Sequence, residues 1–283
     1  TEQIGICAPI TKKCPNDCNT QGSCIYRNIH NDIQATCYET DIFCRSECLC
    51  RNGFYGMDCS IKSTEVNTVK ELRDSACKNL ALVKSIQNEN YDVIISRVTS
   101  IKNAMNDYSL LNEDAYEICV KLLVDTIKEH PIIAGTDKGR ILFTTALGGI
   151  LEKRHLLSSL SLANVTIGLN ALSRGIQQNM AIGESPTSIV TNNLRLLTAL
   201  RSPSDLSSQT FSLPRTAYEE FDGTLAEHVK FDASAYLGGT QGIVVGITAT
   251  MLTNNPTGVM QNSSVLQVET SAYVTSNRSE ERR

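Results

Sequence analysis

The sequence lacks features that would place it in two large classes of proteins. Its 26 basic residues are outnumbered by 30 acidic ones, and the formal net charge of −4 provides no basic surface for nucleic acid or acidic polysaccharides. It has no uninterrupted apolar run of about 18 residues, as a membrane-spanning helix needs, and no signal peptide with a basic start and apolar centre. We therefore expect no nucleic-acid partner and no membrane span in this segment.

Catalytic motifs are also lacking. The four histidines stand in separate contexts, and His155, beside Lys153 and Arg154, is interpreted as part of a solvated helix face. The glycine-rich run 238–242 leads into a predicted strand, whereas a phosphate-binding loop leads into a helix and contains lysine. We predict no enzymatic activity, no catalytic residue, no cofactor and no metal.

Cysteine is abundant at one end of the chain. Nine of the 11 cysteines lie between Cys7 and Cys59, Cys77 and Cys119 follow, and none comes later. A module of roughly 45 residues buries too little apolar surface to fold unaided, so disulfides must stabilise it, and these need an oxidising compartment. The sequence thus predicts an extracellular or cell-surface protein from the secretory pathway, with a disulfide-rich module over residues 1–62.

Three sequons agree with secretion. Asn164, Asn262 and Asn277 each begin an Asn-x-Ser/Thr triplet without proline in the middle. Such triplets are weak signals alone, but together with the cysteine framework they predict N-glycans at these positions. The chain begins at Thr1 rather than Met, and we expect it to be a segment of a longer protein.

The cysteine spacing resembles that of an EGF-like module. The pattern is Cys14-x3-Cys18-x5-Cys24, then Cys48-x-Cys50-x8-Cys59, with Gly53-Phe54 and Gly56 before the last cysteine. The resemblance implies the pairs Cys14 with Cys24, Cys18 with Cys48, and Cys50 with Cys59. Gly53 and Gly56 are expected to supply unusual backbone angles in the final turn.

The remaining cysteines leave alternatives open. Cys37 and Cys44 lie in the insert of the EGF-like pattern, where a local bridge closing a hairpin is the simplest solution. A Cys77–Cys119 bridge between helices leaves Cys7 for a partner upstream or in another molecule, whereas a Cys7–Cys77 bridge would leave Cys119 as a buried thiol. Zinc at the Cys-x3-Cys pairs is a less favoured interpretation, because zinc modules are usually intracellular.

Calcium is not expected in this module. Calcium-binding EGF-like modules resemble one another in carrying acidic and amide side chains just before the first cysteine. Residues 10–13 are Ile-Thr-Lys-Lys instead. We therefore predict no calcium site there.

A helical period begins at Glu65 and continues to about Met180. Apolar residues recur at steps of three and four and predict two helices, or one kinked helix, as far as Ile101. Further helices are expected from Asn112 to before Pro131, from Asp137, and from Leu156 to Met180. Gly148-Gly149 predicts a weak point or a close crossing. Residues 63–184 are thus assigned to a helical subdomain.

The period shifts towards two after Pro186. Strands are predicted around 190–197, 210–214, 242–252 and 265–270, separated by turn signals. The fold class is therefore multidomain α+β, with an antiparallel β subdomain over residues 185–283.

A helical part followed by strands resembles the order of the GAIN domain, including the version in receptor-for-egg-jelly and polycystin-like proteins. The local pieces are Asn192–Arg195, Ser202–Leu206, Phe211–Pro214 and Asn255-Pro256, and the resemblance covers about residues 65–283. It implies an antiparallel β sandwich. The chain departs from the family by having no Trp, no cysteine after Cys119, and Leu157 where a His-Leu motif would need its Ser or Thr nucleophile. Autoproteolysis is therefore not assigned to these residues.

These features together predict a non-enzymatic structural or adhesive segment of a large cell-surface or filament-forming protein. Its expected partners are other protein segments or subunits of an extracellular assembly. The alternatives are an EGF-like signalling ligand, a receptor ectodomain, or part of an autoproteolytic GAIN domain whose cleavage motif lies beyond Arg283.

Overall fold

The computed structural model describes most of the chain from Ile10 to Val274. The described residues are 10–28, 32–39, 41, 44–86, 88–106, 110–152, 157–191, 194–202, 210–212, 228–230, 243–252 and 265–274. They form a mixed α and antiparallel β structure in two compact units, Thr1–Ser75 with Asp107–Asn112, and Ala76–Asn106 with Glu113–Arg283. Among the described helices, none combines the length and apolar character needed to cross a bilayer.

The first unit is built from five short strands. They are β1 (Gly22–Asn28), β2 (Ile33–Gln34), β3 (Cys44–Cys50), β4 (Phe54–Tyr55) and β5 (Ile61–Lys62). The first three form an antiparallel sheet in the order β2-β1-β3, and β4 pairs with β5. The buried cluster of this unit consists of Cys14, Cys18 and Cys59, with Cys48, Cys50 and Phe54 packed against it. Sulfur therefore fills the interior where a larger domain would place aliphatic side chains.

Three glycines of this unit occupy positions that disfavour a side chain, Gly22 through lack of space and the other two through their backbone angles. A Cβ on Gly22 would lie 2.7 Å from the Cys59 sulfur and 2.8 Å from the Leu49 carbonyl oxygen. Gly53 and Gly56 have φ angles of 91° and 93°, which confirms the unusual angles expected there.

A left-handed turn precedes β1. Residues from Asn16 to Thr20 all have positive φ, between 46° and 58°. Asn and Asp tolerate this region better than other residues with a Cβ, and they occupy three of these five positions. Cys18, at the centre of the turn, is buried and covalently joined to β3.

Six helices follow within the described residues. They are α1 (Val66–Lys84), α2 (Tyr91–Met105), α3 (Glu113–Glu129), α4 (Pro131–Ala134), α5 (Asp137–Glu152) and α6 (Ser159–Asn179). Asn90 and Ser158 cap α2 and α6, because their side-chain oxygens accept hydrogen bonds from Val93 N and Ser161 N. The sequence predicted every helix except α4, and the region up to Ile101 contains two helices rather than one with a kink.

The helical core comes from α2, α3, α5 and α6. Its fully buried apolar side chains include Ile94, Ile101, Leu123, Ile127, Phe143, Leu147, Leu169 and Leu172. In α1, by contrast, Cys77 is the one buried residue. The apolar period of α1 predicted its helical structure correctly, yet within that period Leu72 is 65% exposed and Ile86, just beyond the helix, is 82% exposed.

Gly175 and Gly148 are among the glycines that allow close approaches in this unit. A Cβ on Gly175 of α6 would overlap the carbonyl of Pro131 at the start of α4. A Cβ on Gly148 would lie 2.5 Å from Thr191 Oγ1, so this glycine marks the close crossing that its sequence predicted, within an unbroken α5.

The remaining strands are antiparallel. They are β6 (Thr187–Val190), β7 (Leu194–Arg201), β8 (Thr210–Ser212), β9 (His228–Lys230), β10 (Ile243–Leu252) and β11 (Val265–Val274). One sheet has the order β11-β10-β7-β6, and β8 pairs with β9 separately. The single strand expected over 190–197 is wrong, because this stretch contributes to both β6 and β7. All eight residues of β7 are buried, and so no two-residue alternation marks it.

Candidate functional site

The most distinctive chemistry of the described chain is its set of five disulfides. They join Cys14 to Cys24, Cys18 to Cys48, Cys37 to Cys44, Cys50 to Cys59, and Cys77 to Cys119. The Cα–Cα distances of 5.2–5.8 Å are ordinary for disulfides. These are the pairs expected from the sequence, and Cys7 lies outside the described residues.

The insert of the first unit is closed by a bridge and a partly buried ammonium contact. Cys37 and Cys44 form the bridge, and Lys12 Nζ donates to the carbonyl oxygens of Asp41 at 2.6 Å and Cys44 at 2.7 Å. Lys12 N also donates to the Cys37 carbonyl at 2.7 Å. Lys12, which precedes Cys14 in the chain, thus holds the insert in place. Its positive charge lies next to carbonyl oxygens that could otherwise bind a cation.

Polar contacts tie the first and last loops of this unit together. Asn16 Nδ2, in the left-handed turn, donates to Asp58 Oδ2 at 2.8 Å, and Ser60 N donates to Asp58 Oδ1 at 3.1 Å. The Asn16 hydrogen bond, followed by those from Ser60, lowers the pKa of Asp58 from its ordinary value. The ionised Asp58 carboxylate therefore holds the turn and the final loop together.

The Cys77–Cys119 bridge belongs to the second unit. It joins α1 to α3, with α2 between them in the chain, rather than two consecutive helices. Both cysteines are fully buried, and they are 42 positions apart in sequence. Since Cys77 is the one buried residue of α1, the bridge is the principal attachment of this helix within the second unit.

A group of charged side chains lies where α2 begins and α3 ends. Arg97 Nη1 donates to Glu89 Oε1 at 2.5 Å, and His130 Nε2 contacts Glu89 Oε2. Lys84 Nζ donates to Glu129 at 2.6–2.7 Å. Burial raises the pKa of Glu89, but the hydrogen bonds from Arg97 and His130 outweigh it, and the pKa is lowered overall.

The same group contains the best-placed candidate metal ligands in the described structure outside the disulfides. One ligand atom from each of Glu89, Glu129 and His130 lies within 4.8 Å of the others. Arg97 and Lys84 already compensate the two carboxylates, and a divalent cation would have to displace or oppose them. The arrangement is therefore better suited to holding helix ends than to holding an ion.

The zinc alternative drawn from the cysteine spacing meets a chemical obstacle. The sulfurs of Cys14, Cys18 and Cys48 do lie within 4.8 Å of one another. Each belongs to a disulfide, however, and zinc binds thiolates rather than disulfide sulfurs.

The other residues singled out from the sequence are less informative. Asn164 is half-buried on α6, where glycosylation stays a prediction. Asn262, Asn277, His155 and the glycine run 238–242 lie outside the described residues. His130, which the sequence did not single out, has a carboxylate partner 41 positions away in the chain.

Comparison with known proteins adds no relative. No protein-family model matches the sequence, and no curated protein matches it either.

Proposed function

We propose that this chain is a non-enzymatic structural segment of a large extracellular protein. In this proposal an EGF-like spacer precedes a GAIN-like domain, and the segment contributes to a cell-surface, adhesive or filamentous assembly. Its partners are other segments or subunits of that assembly, and its sequons carry N-glycans.

The observation that carries the proposal is the complete pairing of the described cysteines. All ten are in disulfides, and the buried cluster of the first unit consists mainly of their sulfurs. Such a unit would lose its interior in a reducing cytosol, where glutathione and thioredoxin keep thiols reduced. An oxidising compartment is therefore where this chain gains its stability.

The charged groups support a structural role. Glu89 and His130 are close enough for acid–base chemistry, but they contact each other and Glu89 also binds Arg97, whose side chain is only 2% exposed. A general acid or base must be able to reach a substrate proton by a hydrogen bond, whereas these two groups have protein partners. The proposal therefore assigns no catalytic residue.

The helix-to-strand order and the antiparallel pairing of the described strands support the GAIN-like part of the proposal. The proposed role of this part is to present surface to neighbouring subunits.

The test is expression of the full chain behind a secretion signal in cultured eukaryotic cells. We expect the secreted protein to contain all five bridges in a non-reduced digest analysed by mass spectrometry. We also expect it to be retained in the insoluble pericellular fraction and to cause no receptor tyrosine phosphorylation when added in soluble form. A Cys18→Ala/Cys48→Ala variant should be retained inside the cell, because it loses a bridge of the sulfur-filled interior.

Two outcomes would contradict the proposal. Free thiols throughout the native protein would exclude the extracellular assignment. Receptor phosphorylation by the soluble chain, without pericellular retention, would favour a signalling ligand instead.

A further inference from the structure

An apolar groove of the second unit lies between α1 and α3. Lys78 and Leu82 of α1 face it from one side, and Ile118, Lys121 and Leu122 of α3 from the other, with a cavity volume of about 500 Å³. Cys77 and Cys119, immediately next to Lys78 and Ile118 in sequence, bridge the two helices. We call this feature the α1–α3 groove.

The α1 side of the groove is unusually open for an amphipathic helix. Leu82 is 67% exposed, whereas Leu122 opposite it on α3 is buried. Cys77 is the one buried residue of α1, and Ala81, which also lines the groove, is half-buried, so apolar surface of this helix stays accessible. Covering Leu82 would remove apolar surface from water, so the groove favours an apolar ligand surface.

The rim of the α1–α3 groove is basic. Lys78 and Lys121 are exposed, and neither forms an ion pair with a described residue. Lys84 also lines the groove, but it forms an ion pair with Glu129. Among the described residues that line the groove, Asp125 is the one acidic residue. Because the whole chain has a net charge of −4, this rim is a local reversal of sign. An acidic partner would complement the positive charge of this rim.

The length of the groove indicates the shape of that partner. At 1.5 Å per residue, the lining segments from Lys78 to Lys84 and from Ile118 to Asp125 each extend for about 10 Å. Anchors at positions i, i+4 and i+7 of a helix span about the same distance. Two turns of an amphipathic helix therefore match the groove.

We propose that the α1–α3 groove binds an acidic amphipathic helix of a partner protein. Apolar anchors of that helix occupy the space between Leu82 and Ile118, and its flanking Asp or Glu residues pair with Lys78 and Lys121. The inference rests on the proposed assembly function, for which it supplies a docking surface.

The test measures binding of a model peptide to the full disulfide-bonded chain. The probe is a fluorescent helical peptide of about four turns, with leucine at i, i+4 and i+7 and glutamate at polar positions. We expect saturable binding by fluorescence anisotropy, and carbodiimide cross-links from its glutamates to Lys78 or Lys121. The Lys78→Glu/Lys121→Glu variant should bind about tenfold more weakly, because it loses two surface ion pairs. Lys138→Glu, an exposed lysine on α5, is the control and should bind as the wild type does.

One further variant and a second peptide make the outcome decisive. Leu82→Ser should weaken binding, while the Lys78→Glu/Lys121→Glu variant should prefer a peptide with lysine in place of glutamate. Circular dichroism establishes that each variant is folded. Equal peptide binding by the wild type and all groove variants would overturn the proposal. A wild-type dimer in sedimentation that the Leu82→Ser substitution dissociates would also overturn it, because a second copy of the chain would then occupy the groove. If the peptide does not bind but the chain is still retained in the pericellular fraction, the groove proposal is overturned and the proposed function is not. If the peptide binds but the chain is not retained, the result counts against the proposed function.

Discussion

Removing the Cys77–Cys119 bridge should release α1 from the second unit and lower the stability of that unit. The bridge closes a loop with a sequence separation of 42. In the chain-entropy account such a loop contributes about 4 kcal/mol to the free energy of unfolding, by restricting the unfolded chain. For a unit of this size, that loss corresponds to a decrease in Tm of about 8–16 °C.

The assay compares Cys77→Ala/Cys119→Ala with the wild type in two ways. Thermal unfolding followed by circular dichroism at the helical band gives the change in Tm. Hydrogen exchange measured by mass spectrometry locates the change. We expect amides of Ala76–Lys84 to lose protection in the folded variant while those of α3 keep it, because Cys77 is the buried attachment of α1 and α3 has many buried residues.

The control is Cys37→Ala/Cys44→Ala, which opens a loop with a sequence separation of 7 in the first unit. The same account gives this bridge only about 2.5 kcal/mol, and the helical transition should keep its midpoint. The reasoning would be refuted by a Cys77→Ala/Cys119→Ala protein with wild-type Tm and full protection of Ala76–Lys84. Packing, rather than the bridge, would then hold α1.

Two further predictions concern backbone packing and ionisation. Gly175→Ala should destabilise the second unit by about 3 kcal/mol, because the added Cβ would overlap the Pro131 carbonyl. Gly149 is exposed on α5 with open space around it, and Gly149→Ala should stabilise the unit by about 1 kcal/mol through the higher helix propensity of alanine. Urea unfolding measures both changes. Glu89→Gln should cost about 2 kcal/mol at pH 7 by weakening the charged hydrogen bonds to Arg97 and His130. Since the folded pKa of Glu89 is lowered, its contribution is present above the ordinary glutamate pKa and is lost as pH falls through the lowered value. The difference from wild type should therefore shrink in urea titrations repeated at acid pH, and a constant difference would contradict the assignment.

Some of this architecture could be inferred from local sequence. The cysteine spacing is a local pattern, and its resemblance to an EGF-like module implied three of the pairs that the structure joins. The apolar period indicated the long helices, and the polar residues near Asn112 indicated where α3 begins, at Glu113. The apolar period does not show which element covers an apolar face: α1 has the expected pattern, yet Leu72 is left 65% exposed.

Other features depend on long-range contacts and left no local trace. β7 lies between β10 and β6 and is buried along its whole length, so the alternation that identifies a half-exposed strand is missing. His130 contacts Glu89, which is 41 positions away in the chain, and no local pattern marks this pair. His155 is distinguished in the sequence only by its neighbours Lys153 and Arg154. β9 is three residues long, too short for a pattern to be recognised.

The Cys77–Cys119 bridge also determines how tension would pass through this chain. A pull along the chain that reaches Cys77 would cross the sulfur–sulfur bond and continue from Cys119. The intervening residues, including all of α2, would bear none of it while the bond is intact. At about 3.4 Å per extended residue, the sequence separation of 42 corresponds to a reserve of roughly 140 Å of contour length. Reduction of this single bond, followed by unfolding of the intervening helices under load, would release that reserve and turn a short link into a long, extensible one.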